Sequence, residues 1–133
     1  MDKKADSLIV VRGVMRTIEY AVCSNGSMPA KEFIESLSIS EQAALASLFR
    51  RMADHGSFRN QERFKFIRGK IFEIKRHQLR VFCFRRGNRW FLTNGYKKKR
   101  SRLDPNEIAR AKRVMAEHLE RKAEKEGRRR NER

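Results

Sequence analysis

Residues 71–111 read IFEIKRHQLRVFCFRRGNRWFLTNGYKKKRSRLDPNEIARA, and this stretch decides the fold. At its start Phe72 and Ile74 point one way and Glu73 and Lys75 the other, the period of two of a strand. The spacing predicts a strand over Phe64–Lys75, a short turn at His77-Gln78, and a second strand over Leu79–Arg86. Gly87-Asn88 is a two-residue hairpin signal leading into a third strand, Trp90–Tyr96. The last two strands are apolar on both faces at several positions, so alternation alone leaves open which side the helices cover. Asp104-Pro105-Asn106-Glu107 then starts a helix, with an N-cap, proline at the first helical position and a glutamate reaching back. Ile108, Ala111, Met115 and Leu119 form its narrow apolar stripe. Beyond Leu119 the sequence has almost nothing to bury, which predicts fraying there and disorder past Gly127.

Working outward toward the N-terminus, Arg16–Cys23 is rich in β-formers and ends in the turn-prone Ser24-Asn25-Gly26, a strand. Ser27 and Pro29 open a helix with Phe33, Ile34 and Leu37 on its apolar side. Ser38 and Glu41 fit a capping box for a second helix. Its stripe is Ala44, Leu45, Leu48, Phe49 and Met52, and Gly56 is its terminator. The expectation is an α+β domain: an N-terminal strand and a helical hairpin packed on a twisted antiparallel sheet of about four strands, with a C-terminal helix. It spans residues 15–126. An N-terminal extension over 1–14 contains the short apolar patch LIVV, and 127–133 form a basic, disordered tail.

The 133 residues carry 33 Lys+Arg against 16 Asp+Glu, a formal charge of +17. The excess is concentrated: 16 basic residues and two acids, Glu62 and Glu73, lie between Arg59 and Arg102, giving +14. A solubilising charge would be spread evenly, so a polyanion-binding surface is the better account, with nucleic acid ahead of anionic membrane. No apolar run approaches the ~20 residues that span a bilayer. Met1–Ser7 lacks the basic-then-apolar order of a signal peptide, which points to the cytoplasm. Cys23 and Cys83 sit in apolar contexts without a CxxC pattern and read as free buried thiols. His55, His77 and His118 show no metal-ligand spacing, and no phosphate-cradling glycine motif is present. The sequence implies neither a cofactor nor a metal.

Any anion site must therefore rest on side chains. Glu73 and Lys75 share a strand face, Arg80 follows a tight turn beside them, and Lys97-Lys98-Lys99-Arg100 leaves the next strand at the same edge. Cleaving RNA without a metal requires deprotonating the 2′-hydroxyl, stabilising the phosphorane and protonating the leaving 5′-oxygen. A lysine crowded by cations exchanges protons nearer neutrality, and arginine grips phosphate through two donors. Arg80 is cast as the phosphate clamp, Lys75 and Lys98 as general acid/base candidates, and Glu73 as their orienting partner. Arg68, Arg76, His77, Tyr96, Lys97 and Arg100 are candidate RNA contacts, with Tyr96 able to stack on bases. Spacing alone favours plain nucleic-acid binding over catalysis, with Glu73 as a simple ion-pair partner. Trp90 reads as core.

The same residues resemble a known family. Phe72-Glu73-Ile74-Lys75, Arg80-Val81-Phe82, Gly95-Tyr96-Lys97-Lys98-Lys99 and Asp104-Pro105-Asn106-Glu107-Ile108 with Ala111 occur in the order seen in the HigB-type branch of the RelE/ParE toxin superfamily. The resemblance covers about Phe66 to Leu119, with lysine at 75 where arginine is usual and one extra residue before the proline. It implies a RelE-like fold with helices on one face of the sheet and an RNA-binding concavity on the other. It implies a ribosome-dependent, metal-independent endoribonuclease that cleaves mRNA, neutralised by a small HigA-like helix-turn-helix antitoxin. Glu73, Lys75, Arg80, Lys98 and Lys99 fall on the family's motif positions as active-site candidates. A noncatalytic binder of RNA, ribosome or DNA, and a ParE-like gyrase inhibitor, remain alternatives.

Overall fold

The computed structural model describes residues 8–56 and 63–131, with side chains as far as Arg128. The leader reading at Met1–Ser7, the cation Arg59, and the end of the basic tail lie outside the described residues. Among the described residues six strands and three helices follow in the order β1 (Ile9–Arg12), β2 (Thr17–Tyr20), α1 (Pro29–Glu35), α2 (Ile39–His55), β3 (Phe64–Arg68), β4 (Ile71–Arg76), β5 (Leu79–Arg86), β6 (Arg89–Lys97) and α3 (Pro105–Asn131). They build one α+β unit on a sheet of order β1-β2-β6-β5-β4-β3. The sheet is mixed, because β2 runs parallel to β6 while the other neighbours are antiparallel.

The local signals act where the sequence places them. Ser38 accepts from the Glu41 backbone while the Glu41 carboxylate accepts from the Ser38 N–H, a capping box that starts α2. Gly56 closes α2 at φ 87°, a left-handed conformation that favours glycine. The sheet has six strands rather than about four for two reasons. Gly69, at φ 59°, turns the chain inside the stretch read as a single strand, so Phe64–Lys75 becomes β3 and β4. The apolar patch in the N-terminal extension forms β1, which pairs with β2 at the sheet edge. At the other end α3 stays helical to Asn131, beyond the Gly127 at which the sequence predicts disorder.

The sheet is covered on both faces, which corrects the expectation of helices on one face only. One layer packs α1 and α2 through Ile34, Leu45, Leu48, Phe49 and Met52 onto Ile18, Ile74, Val81, Trp90 and Leu92. The other packs α3 through Ile108, Ala111 and Val114 onto Phe82, Phe84 and Phe91. This is why β5 and β6 are apolar on both sides: they are the centre of a three-layer structure. Trp90 is core, 3% exposed, and its indole N–H donates to the Gly56 carbonyl. Cys23 and Cys83 are free and buried.

A bulge in β6 sets which side chains face α3. Phe82 opposes Asn94 and Cys83 opposes Leu92, leaving Thr93 as the extra residue. After the bulge Asn94 and Tyr96 share the face of Phe82, while Gly95 turns toward α1. The Asn94 amide donates to the Glu107 carbonyl and to its carboxylate, fixing the first turn of α3 against β6.

Candidate nucleic-acid interface and active site

Helix α3 packs on β5 and β6, and clefts open at the end of the same face around Arg80. Strand register puts the chemistry-bearing residues there in two adjacent rows. Lys65, Glu73, Phe82 and Asn94 lie opposite one another across β3, β4, β5 and β6. Lys75, Arg80 and Tyr96 form the next row toward the strand ends. The period of two places both rows on one face. Beyond β6 the chain stays with the sheet, since the Lys98 N–H donates to the Gln78 carbonyl at 2.7 Å.

Glu73 is the floor of the cluster. It is 3% exposed, and its Oε2 is buried with no hydrogen-bond partner. Burial raises its carboxyl above the ordinary value, and the cations Arg80, Lys75, Lys98 and Lys65 pull it back down in that order. A buried carboxylate with an orphaned oxygen is a costly feature.

Arg80 is held by backbone carbonyls. Its Nη1 donates to the carbonyls of His77 at 2.6 Å and Leu79 at 2.9 Å, while its Nε is buried without a partner. His77 sits at φ 53°, and this left-handed turn residue supplies the carbonyl that holds the guanidinium. Two clefts meet at Arg80, one of about 240 Å³ with Arg63, Lys75, Arg76 and His77, the other of about 370 Å³ with Lys98, Lys99 and Arg100. A larger cleft of about 940 Å³ continues from Lys98–Arg100 along the loop to α3, with Tyr96 and Arg68 on its walls. Tyr96 stacks parallel to Phe82, and its hydroxyl accepts from the Asp104 N–H at 3.3 Å. Desolvation raises its phenol above the ordinary value.

Of the residues singled out by sequence, the structure brings together Glu73, Lys75, Arg80, Tyr96 and Lys98 on one face, with Lys99, Arg100, Arg68, Arg76 and His77 around the clefts. Lys97 is turned away. Its ammonium pairs with Glu41 of α2 at 3.3 Å, as the alternation of β6 requires. Sequence reasoning missed Lys65, which pairs in register with Glu73, and Arg63. Recognising the turn at Gly69 would have found both, because it folds β3 back onto β4. Among the described residues no three histidine, cysteine or acidic side chains gather as a metal site, and no helix is long and apolar enough to cross a membrane.

Fold and site define a small basic α+β protein with a cation-ringed carboxylate at the open end of its sheet. Residues 32–116 match the phage-derived protein Gp49-like family (DUF891), and the chain belongs to that family of RelE/toxin-like proteins. The match runs from α1 into α3 and contains every residue of both rows. Membership implies an antitoxin partner in general terms. No curated protein matches the chain.

Proposed function

We propose that this protein is the toxin of a toxin–antitoxin pair and acts as a metal-independent endoribonuclease on ribosome-bound mRNA, in the manner of the HigB-type branch. The observation that carries the reading is Glu73: a buried carboxylate with an unpartnered oxygen, surrounded by Lys65, Lys75, Arg80 and Lys98. A surface that merely attracted phosphate would gain nothing from a buried negative charge at its centre. A phosphodiester cleavage does, because one group must accept a proton where others donate.

In this reading the free edge of the Arg80 guanidinium and the neighbouring ammonium groups hold the scissile phosphate and the charge that builds on the phosphorane. Glu73, with its raised pKa, accepts the 2′-hydroxyl proton as the 2′-oxygen attacks phosphorus. A lysine of the Lys75, Lys98 and Lys99 group protonates the departing 5′-oxygen, leaving a 2′,3′-cyclic phosphate and a 5′-hydroxyl end. Tyr96, with Arg68 and Arg100, lines the cleft along which the flanking bases lie. The partner that silences it is a small HigA-like helix-turn-helix antitoxin.

The test is brief induction in growing cells with mapping of mRNA ends. Growth arrest with new 5′-hydroxyl ends inside coding regions is expected, and Arg80→Ala, verified as folded, abolishes both. A folded Arg80→Ala protein that remains fully toxic overturns the assignment of Arg80. Arrest with intact mRNA overturns the nuclease reading.

A further inference from the structure

The opposite end of the same sheet face carries a second cluster of cations. Arg86 and Arg89 pair at the tip of the β5–β6 hairpin, two residues beyond the Phe84–Phe91 pair, and so face α3. Lys122 of α3 closes over them, its ammonium 5.0 Å from the centre of the Phe91 ring. Together they line a cleft of about 380 Å³ with Asn88, Leu119 and Glu126. Arg89 is paired with Glu19 at 3.4 Å. Arg86 and Lys122 have no ion-pair partner among the described residues.

The tip is also held rigid. The Thr17 N–H donates to the Asn88 carbonyl, and the Arg16 guanidinium bridges the carbonyls of Gly56 and Gly87. The hairpin is thus tied to β2 and to the end of α2, so its arginines project from a fixed platform. Arg86 and Lys122 converge here without an ion-pair partner among the described residues, and the Lys122 ammonium is partly removed from water, repelled by Arg89 and Arg86 and attracted by Glu19 and Glu126. Convergent, preorganised cations of this kind are relieved by an anion.

From Arg80 to Arg86, β5 rises by six steps of about 3.3 Å, so the two clusters stand about 20 Å apart on one face. A stacked strand advances about 3.4 Å per phosphate, so a strand skirting α3 needs at least about six nucleotides to link them. We propose that the Arg86–Lys122 cleft is a second binding station for the phosphodiester backbone of RNA, engaged by the strand that runs on from the Arg80 cleft. The inference rests on the reading of the protein as one that acts on RNA. It adds that substrates must be long: a short oligonucleotide reaches one station, a strand on the order of 16 nucleotides reaches both.

The experiment measures binding of 2′-O-methylated RNA, which lacks the attacking hydroxyl, as a function of salt. It compares a trinucleotide with a strand of roughly 16 nucleotides. The full chain is compared with Arg86→Gln/Lys122→Gln, two side chains outside the candidate active site. On the long strand the slope of log affinity against log salt becomes shallower by about 1.4 in the double variant, at about 0.7 per phosphate contact. Trinucleotide binding is unchanged. Arg86→Gln alone, which leaves the Lys122–Phe91 contact intact, reads about 0.7 on the long strand and serves if the double variant melts early.

An unchanged slope on the long strand overturns the second station while leaving the nuclease reading in place. The same change on both RNAs also overturns it, since that reports a general field rather than a docking point. Failure of the unsubstituted protein to bind either RNA removes both.

Discussion

Replacing His118 by asparagine removes a built-in acid sensitivity of the fold. His118 lies in the buried stripe of α3, 6% exposed, against the rings of Phe84 and Phe91. Its Nδ1 accepts the Val22 N–H at 2.9 Å, so Nε2 carries the proton, and Nε2 is buried without a partner. Burial lowers its pKa from 6.5 to about 4, and the cations Lys122, Arg121, Lys125 and Arg86 reinforce the shift. The unfolded chain therefore takes up this proton at higher pH than the folded one. The histidine costs nothing above 6.5, and its contribution is lost as pH falls from 6.5 through about 4. At about 1.4 kcal/mol per pH unit the full loss is about 3 kcal/mol, of which about 2 kcal/mol is gone by pH 5. Asparagine offers Oδ1 in the place of Nδ1 to the Val22 N–H and does not titrate. Urea unfolding at pH 7.5 and pH 5 should show the unsubstituted protein losing about 2 kcal/mol more than His118→Asn between the two conditions. The difference between proteins is the quantity to read, because Glu73 opposes His118 over part of the same range. Equal losses in both proteins would refute the reasoning.

Glu73 supplies a prediction of opposite sign. Its pKa is raised by burial, so the folded state holds the proton more tightly and the ionised carboxylate costs stability at neutral pH. Glu73→Gln is expected to raise the melting temperature at pH 7.5, with the gain shrinking as pH falls toward the ordinary carboxylate range and absent below it, while RNA cleavage falls; a less stable variant at pH 7.5 contradicts the burial argument. Gly95→Ala tests the close approach of α1 to the site. An added Cβ would lie 2.4 Å from Phe33 Cδ2 and 2.8 Å from the Arg80 carbonyl oxygen, so β5 or α1 must shift. A loss of about 1–3 kcal/mol by urea unfolding is expected, together with weaker phosphate binding as Arg80 is displaced; an unperturbed melting curve would show that the packing there is loose.

Much of this protein is determined by its sequence alone. The capping box at Ser38 and Glu41, the proline start of α3, the Gly87-Asn88 hairpin and the period of two over Phe72–Lys75 are local signals set by a few neighbouring residues. The concentration of cations between Arg59 and Arg102 is likewise a property of the chain, and with it the expectation of a polyanion. Burial of Cys23, Cys83 and Trp90 follows from their apolar contexts. What tertiary structure decides is which residues meet. The Gly69 turn, in a run that reads as one strand, brings Lys65 beside Glu73. The parallel pairing of β2 with β6, and the edge strand β1, join segments too far apart for local pattern to connect. The bulge at Thr93 turns Asn94 and Tyr96 to the α3 face, and alternation then sends Lys97 to Glu41 rather than to the site. Above all, α3 covers the second face of the sheet only in part. In the folded chain His118 is buried without a partner for Nε2, and Glu73 is a buried carboxylate among cations. The same residues on an uncovered sheet would be a solvated ion pair, because charge comes from composition whereas desolvation comes only from packing.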